Sequence, residues 1–163
     1  MALSNRDRIG KALDELRDGL LPFISRQLTE KIGSNWEAKL PSDANNLQDI
    51  SILLALFIEH WSNIFKRFLS QSDRAYISEL KEARNKWAHS QPMSSDDADR
   101  YLDTAIRLCK NINAVDQSES IRKIREELQQ QIFSERARQR NRYQASIESK
   151  YQFGLKPWRE VIV

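Results

Sequence analysis

The sequence predicts an all-α fold, a bundle of four to five helices. Three observations predict it. The 163 residues include only four glycines and four prolines. No run alternates β-branched with polar residues, and apolar side chains recur every three or four positions along most of the chain.

A first helix is expected from about Asn5 to Lys31, capped by Ser4, with Ile9, Leu13, Leu16, Leu20, Ile24 and Leu28 near helical spacing. Gly19 and Pro22 lie inside it and predict a kink or break. "GSNWEAKLPSDANN" reads as a loop with one short turn around Trp36. The second helix, about Leu47 to Leu69, has the widest apolar face: Ile50, Leu53, Leu54, Phe57, Trp61, Ile64, Phe65 and Phe68. That width predicts the central element of the bundle.

The third helix, about Ser72 to His89, ends before Pro92, which disfavours helical geometry at Gln91. The fourth begins near Ser94, where Ser94 and Asp97 resemble a capping box, and its stripe includes Tyr101, Leu102, Leu108, Cys109 and Ile112. A fifth, from about Ser118, carries Ile121, Ile124, Leu128 and Ile132. After Phe133 the stripe fades and the chain is polar all round to Tyr143. "FGLKPWREVIV" at the end changes character. The expected organisation is a helical bundle over 1–117, a C-terminal helix over 118–149 that is basic in its second half, and a linker or truncated following domain over 150–163.

Charged residues at 30% and apolar ones at 40% are ordinary for a soluble globular chain. The lone Cys109 excludes an internal disulfide and reads as a small core residue. No His/Cys cluster suggests a metal site, and no cofactor is implied. The N-terminus is charged within six residues, unlike a signal peptide. The longest apolar run, "ISILLALFI", falls far short of the ~20 residues of a membrane span. A cytoplasmic protein without membrane contact is expected. The net charge of +3 divides unevenly, with −2 over residues 1–119 and +5 over 120–163. Arg136, Arg138, Arg140 and Arg142 concentrate the positive end and are candidates for nucleic-acid binding, weighed against a solvated helix.

The segment "EARNKWAHSQP" at 82–92 holds one of only two histidines. On a helical wheel Tyr76, Leu80 and Ala83 lie within about 40° of Trp87 and define a core side. Asn85 and His89, four residues apart, fall near the opposite pole, and Glu82 shares that outer face. Arg84 is on the flank, about 140° from His89 on an ideal helix. The two do not converge by helix geometry alone. They meet if the last turn unwinds, if the arginine reaches around, or if a second copy of the helix crosses the first. Cutting RNA without a metal needs a base, an acid and a cation over the phosphorane oxygens. A two-fold dimer of such helices offers two imidazoles and two guanidiniums. The bland alternative is a solvated helix end with His89 near the C-terminal dipole.

The wording "RN-x-WAH", at Arg84, Asn85, Trp87, Ala88 and His89, resembles the signature of the HEPN superfamily: arginine, a polar residue, then histidine four to six positions on. "SNRDRIGKALDELRDGLLPFISRQL" and "DADRYLDTAIRL" are similar to one HEPN subfamily. That subfamily accompanies PIN-type nucleases in mRNA surveillance and stands at the N-terminus of large bacterial defence-island ATPases. "FGLKPWREVIV" looks like the junction into such an ATPase. The resemblance, over about residues 4–112, implies a bundle of four or five helices that forms a homodimer through the helix carrying Arg84 and His89. It also implies a metal-independent endoribonuclease leaving a 2′,3′-cyclic phosphate and a 5′-hydroxyl. Arg84 would meet phosphate charge, His89 would transfer protons, and Asn85 would bond the phosphate or hold His89. The wheel adds Glu82 as a candidate orienting residue, and His60 reads as structural. The alternatives are a non-catalytic dimerisation or regulatory module of the same ATPase, or a nucleic-acid-binding adaptor.

Overall fold

The computed structural model describes residues 3–40 and 46–151, which form helices and turns and no strand. The five helices are α1 (Asn5–Ile32), α2 (Ile50–Glu59), α3 (Gln71–Ala88), α4 (Ser95–Asn111) and α5 (Val115–Lys150), with 3-10 turns at Trp36–Lys39 and Phe65–Arg67. None of the described helices is long and apolar enough to cross a membrane. By its contacts the chain divides into a compact unit through Leu128 and a second from Gln129 onward. "FGLKPWREVIV", read as a linker or the opening of a further domain, lies outside the described residues, as do 41–45 of the loop before α2.

Within the first unit α1 packs on α4, α2 and α3, and α3 packs on α4 and α2. The four helices therefore close a bundle around one core. Ser4 caps α1, its hydroxyl accepting the Asp7 N–H at 3.0 Å. Leu16, Leu20, Ile24 and Leu28 of α1 are completely buried. Of the kink or break expected at Gly19 and Pro22, the break does not occur: α1 runs as one helix through both. Pro22 is exposed, so the carbonyl that its ring leaves without an amide partner sits on the solvent side. Gly19 has a packing role. A Cβ there would stand 3.0 Å from the Ala114 Cβ, so the missing side chain lets α1 approach the α4–α5 junction.

The second helix is shorter than its apolar pattern predicts. It stops at Glu59, with His60 as its C-cap. The chain then turns through wide, five-residue bonds from the Phe65 and Lys66 amides to the His60 and Trp61 carbonyls, at 3.2 and 2.8 Å. The cause is tertiary. On a continuous helix Phe57 and Phe65 would be about 12 Å apart along the axis. The turn instead brings their rings to 4.1 Å, stacked, with Phe23 of α1 at 6.0 and 5.8 Å from the two. Offset ring stacking in a buried cluster outweighs the extra helical turns.

α4 ends where Asn113 takes a left-handed φ of 63°. The amides of Asn113 and Ala114 return to the carbonyls of Lys110 and Cys109, a Schellman stop with asparagine in the place glycine usually holds. α5 begins at once, at Val115, slightly earlier than the sequence suggests. Ile121 and Leu128 are fully buried, and Arg125 bonds Asp99 and Asp103 of α4 at 3.0 and 3.3 Å. From Phe133 onward no described residue of α5 is buried.

Candidate functional site

Both ends of α3 are fixed by its own sequence. At the start, Ser70 and Asp73 form a reciprocal capping box: each side chain accepts the other's backbone N–H. Asp73 is buried, and its second oxygen accepts from the Asn111 side-chain amide at the end of α4. The box expected at Ser94 is only half made there, the Ser94 hydroxyl accepting the Asp97 N–H.

At the other end His89 is the C-cap of α3. Ser90 follows with φ 51°, and the amides of Ser90 and Gln91 donate to the carbonyls of Trp87 and Lys86 at 3.3 and 2.9 Å. This is a second Schellman stop, here with serine in the left-handed position. Pro92 prevents the helix from resuming. Beyond it, Asn5 donates through its side chain to the Met93 carbonyl and to the Ser95 hydroxyl. His89 is therefore presented by a closed turn, not by a fraying end.

The buried stripe of α3 is Ile77, Leu80 and Ala83, with Asp73 at its head, while Tyr76 and Trp87 are half-buried. Arg84 leaves the flank of this stripe toward α2. One guanidinium nitrogen lies 3.3 and 3.4 Å from the two oxygens of Asp49, the N-cap of α2. Burial alone would raise the Asp49 carboxyl. The Ser51 N–H and hydroxyl and the Arg84 guanidinium outweigh it and hold the group below the usual carboxylate range. Arg84 and Asp49 line a cleft of about 330 Å³ together with Gly10, Arg17, Gln48 and Trp87.

His89 is not among the residues lining that cleft. Its side chain is exposed, like those of Asn85 and Glu82, and no hydrogen bond to its imidazole occurs among the described residues. The His89 amide donates to the Asn85 carbonyl at 3.0 Å, a backbone link that fixes their shared face. Glu82 lies 3.5 Å from Lys86, which also approaches Asp97 at 3.9 Å. Within one chain, then, Asn85 and His89 are neighbours, Glu82 is held by a lysine, and Arg84 opens into a different cleft.

Three residues absent from the motif shape this end of α3. Arg6 donates to the Trp87 carbonyl at 3.2 Å and lies over its indole at 5.1 Å, a cation–π contact. Gly10, one turn on, admits the indole edge so closely that a Cβ would be 2.8 Å from the Trp87 Nε1. Asp49 fixes Arg84. Arg6 and Gly10 share an α1 face four residues apart, and Asp49 precedes "ISILL" as a cap. Those local signals were readable, but their target was not.

Arg136, Arg138, Arg140 and Arg142 are all exposed on α5. Among the described residues no group of three or more His, Cys, Asp or Glu side chains could hold a metal ion.

An exposed imidazole at a capped helix end, with an arginine five residues earlier on an all-helical bundle, is the arrangement expected of a HEPN domain. The family model described as Swt1-like HEPN matches residues 11–113, from the first turns of α1 to the end of α4. The chain belongs to that family. No curated protein and no solved structure matches it.

Proposed function

We propose that this domain cleaves RNA without a metal ion, as half of a two-fold dimer in which the α3 ends of two protomers face one phosphodiester. The observation that carries the reading is the exposed His89 closing α3, without a side-chain partner among the described residues, in a Swt1-like HEPN chain that carries Arg84 and Asn85. One imidazole takes the proton of the 2′-hydroxyl, whose oxygen attacks the adjacent phosphorus. The bond from phosphorus to the 5′-oxygen breaks, and the partner's imidazole protonates that leaving oxygen. The products are a 2′,3′-cyclic phosphate and a 5′-hydroxyl. Arg84 stabilises the charge on the phosphorane oxygens and Asn85 bonds the phosphate. Glu82, which lies 3.5 Å from Lys86, is the candidate for orienting His89. Arg136, Arg138, Arg140 and Arg142 are the candidates for further nucleic-acid contact. The domain serves as a cytoplasmic module of a bacterial anti-phage defence ATPase.

The test is cleavage of structured and unstructured RNA in EDTA by the parent chain, His89→Ala and Arg84→Ala. Cutting that each substitution lowers by about a hundredfold or more supports the proposal. Light scattering on the same samples reads the dimer.

One observation favours a second reading. The Arg84 charge is already answered by Asp49 in the same chain, which suits a non-catalytic dimerisation or regulatory module of the ATPase, or an adaptor. In that case parent and variants are equally inert while the dimer persists.

A further inference from the structure

Among the described residues, most of the exposed large apolar side chains lie from the second half of α5 to Tyr151. Phe133 is 68% exposed, Tyr143 69% and Tyr151 60%, and Ile147 is 37% exposed. Leaving such groups in water forfeits burial free energy, and a cluster of them marks a surface meant to be covered. At 100° per residue Tyr143, Ile147 and Tyr151 all lie within about 80° of Phe133, so the four share one face. Two of the four arginines lie on it as well. Arg140 falls about 20° from Phe133 and Arg136 about 60°, whereas Arg138 and Arg142 lie about 140° or more away. The four arginines therefore form two opposite pairs, and only one pair, set between Phe133 and Tyr143, shares the face of the aromatic rings. Among the described residues neither Arg136 nor Arg140 has an ion-pair partner.

The charge of the segment decides between occupants. From Phe133 to Tyr151 five basic side chains stand against two acidic ones, a net +3. Two copies of this helix would bring like charges together and set Arg140 into the seam where a coiled coil needs an apolar residue. A single-stranded nucleic acid meets both features at once. Its phosphates answer the guanidiniums, and its unstacked bases have π-faces for the rings. The rings are spaced about 15 Å and 12 Å apart along the axis, and the face spans about 27 Å, room for several nucleotides.

We propose that the face of α5 formed by Phe133, Arg136, Arg140, Tyr143 and Ile147, with Tyr151 just past its end, binds single-stranded RNA by ring stacking and phosphate contact. This deepens the RNA-cleaving reading by naming the form of RNA engaged and the two arginines that engage it. It does not require cleavage, because the binding is read in a chain carrying His89→Ala.

The test is fluorescence anisotropy of a labelled oligo-uridine of about 12 nucleotides, titrated with the full His89→Ala chain over a range of salt. Two double variants remove equal charge from opposite faces, Arg136→Gln with Arg140→Gln and Arg138→Gln with Arg142→Gln. The first pair should weaken binding at least tenfold and lower the salt slope by about 1.4, two phosphate contacts on a single strand. The second should change affinity twofold or less. Phe133→Ala and Tyr143→Ala should each weaken binding about tenfold, with helicity by circular dichroism unchanged. Equal losses from both arginine pairs would reduce the effect to bulk charge and overturn the proposal. So would a parent that does not bind the oligomer. A concentration-dependent assembly that Phe133→Ala and Tyr143→Ala abolish, without RNA binding, would instead give the face to a second copy. Binding without cleavage by the parent would leave this face standing and remove the nuclease reading alone.

Discussion

Arg84 of α3 holds Asp49 at the head of α2, with a guanidinium nitrogen 3.3 Å from a carboxylate oxygen. The motif arginine is thereby committed to a partner on another helix of its own chain, while the motif histidine has none among the described residues.

Asp49→Asn should separate the two jobs of that carboxylate. Asparagine still caps α2, so only the ion pair is lost. Both side chains are about a quarter to a third exposed, and the cost in stability should be no more than about 1 kcal/mol. Asp49→Ala also removes the cap and should cost about 1 to 2 kcal/mol. The folded carboxyl lies below the ordinary 3.8, so its contribution is complete above that value and is lost as pH falls through the folded value. The stability gap between parent and Asp49→Asn, measured by denaturant melts, should be flat near neutrality and close below about pH 3.8. A gap that instead widens in acid would contradict the ion-pair account. Cleavage is the more sensitive readout, because an unfixed Arg84 should lower kcat about tenfold.

Gly10→Ala should destabilise the chain although alanine is the better helix former. The added methyl would meet a stiff indole ring at 2.8 Å, and overpacking of this kind costs about 1 to 3 kcal/mol. The propensity gain of about 1 kcal/mol offsets only part of it. Trp87→Phe removes the opposing edge, so the double variant should lose less than the two single losses added. Additive losses in thermal melts would show that the two sites are uncoupled.

Ser90→Gly should stabilise the protein by about 0.5 to 1 kcal/mol, since φ 51° is costly for a residue bearing a Cβ and free for glycine. Ser90→Val, β-branched in the same place, should cost about 1 to 2 kcal/mol. If Ser90 matters only for closing the turn, cleavage should follow the same order. A midpoint unmoved by either change would mean that the turn is not strained.

Cys109 should be inert in the native state. It is fully buried, and burial, helped by the Glu15 charge, pushes its thiol up to about 12. Thiol-directed labelling at pH 8 should be roughly a thousandfold slower than in denaturant. Labelling at the free-thiol rate without denaturant would show that the α4 face opens.

Much of this is legible in the amino-acid sequence. Stripes of period 3.6 marked α1, α4 and the first half of α5, and the wording around Arg84 and His89 pointed to the family. The failures have one cause. The end of α2 is set by the stacking of Phe57 on Phe65 against Phe23, and a helical stripe looks the same with or without that turn. Asp49 lies 35 positions from Arg84 and Arg6 lies 81 from Trp87. Such pairs are chosen by packing, and a wheel drawn for one helix cannot show them. The Glu82 contact is of the other kind, legible locally, since Lys86 one turn on offers the opposite charge.

α3 is a strut pinned at both ends. Its 18 residues span about 27 Å, anchored at one end by Asp73 to Asn111 and at the other by the grip of Arg6 and Gly10 on Trp87. A strut held this way does not bend toward a neighbour. If the proposed dimer forms, bringing two such histidines within reach of one phosphate depends on how whole protomers dock, and control of the chemistry would be exercised by whatever sets that docking angle.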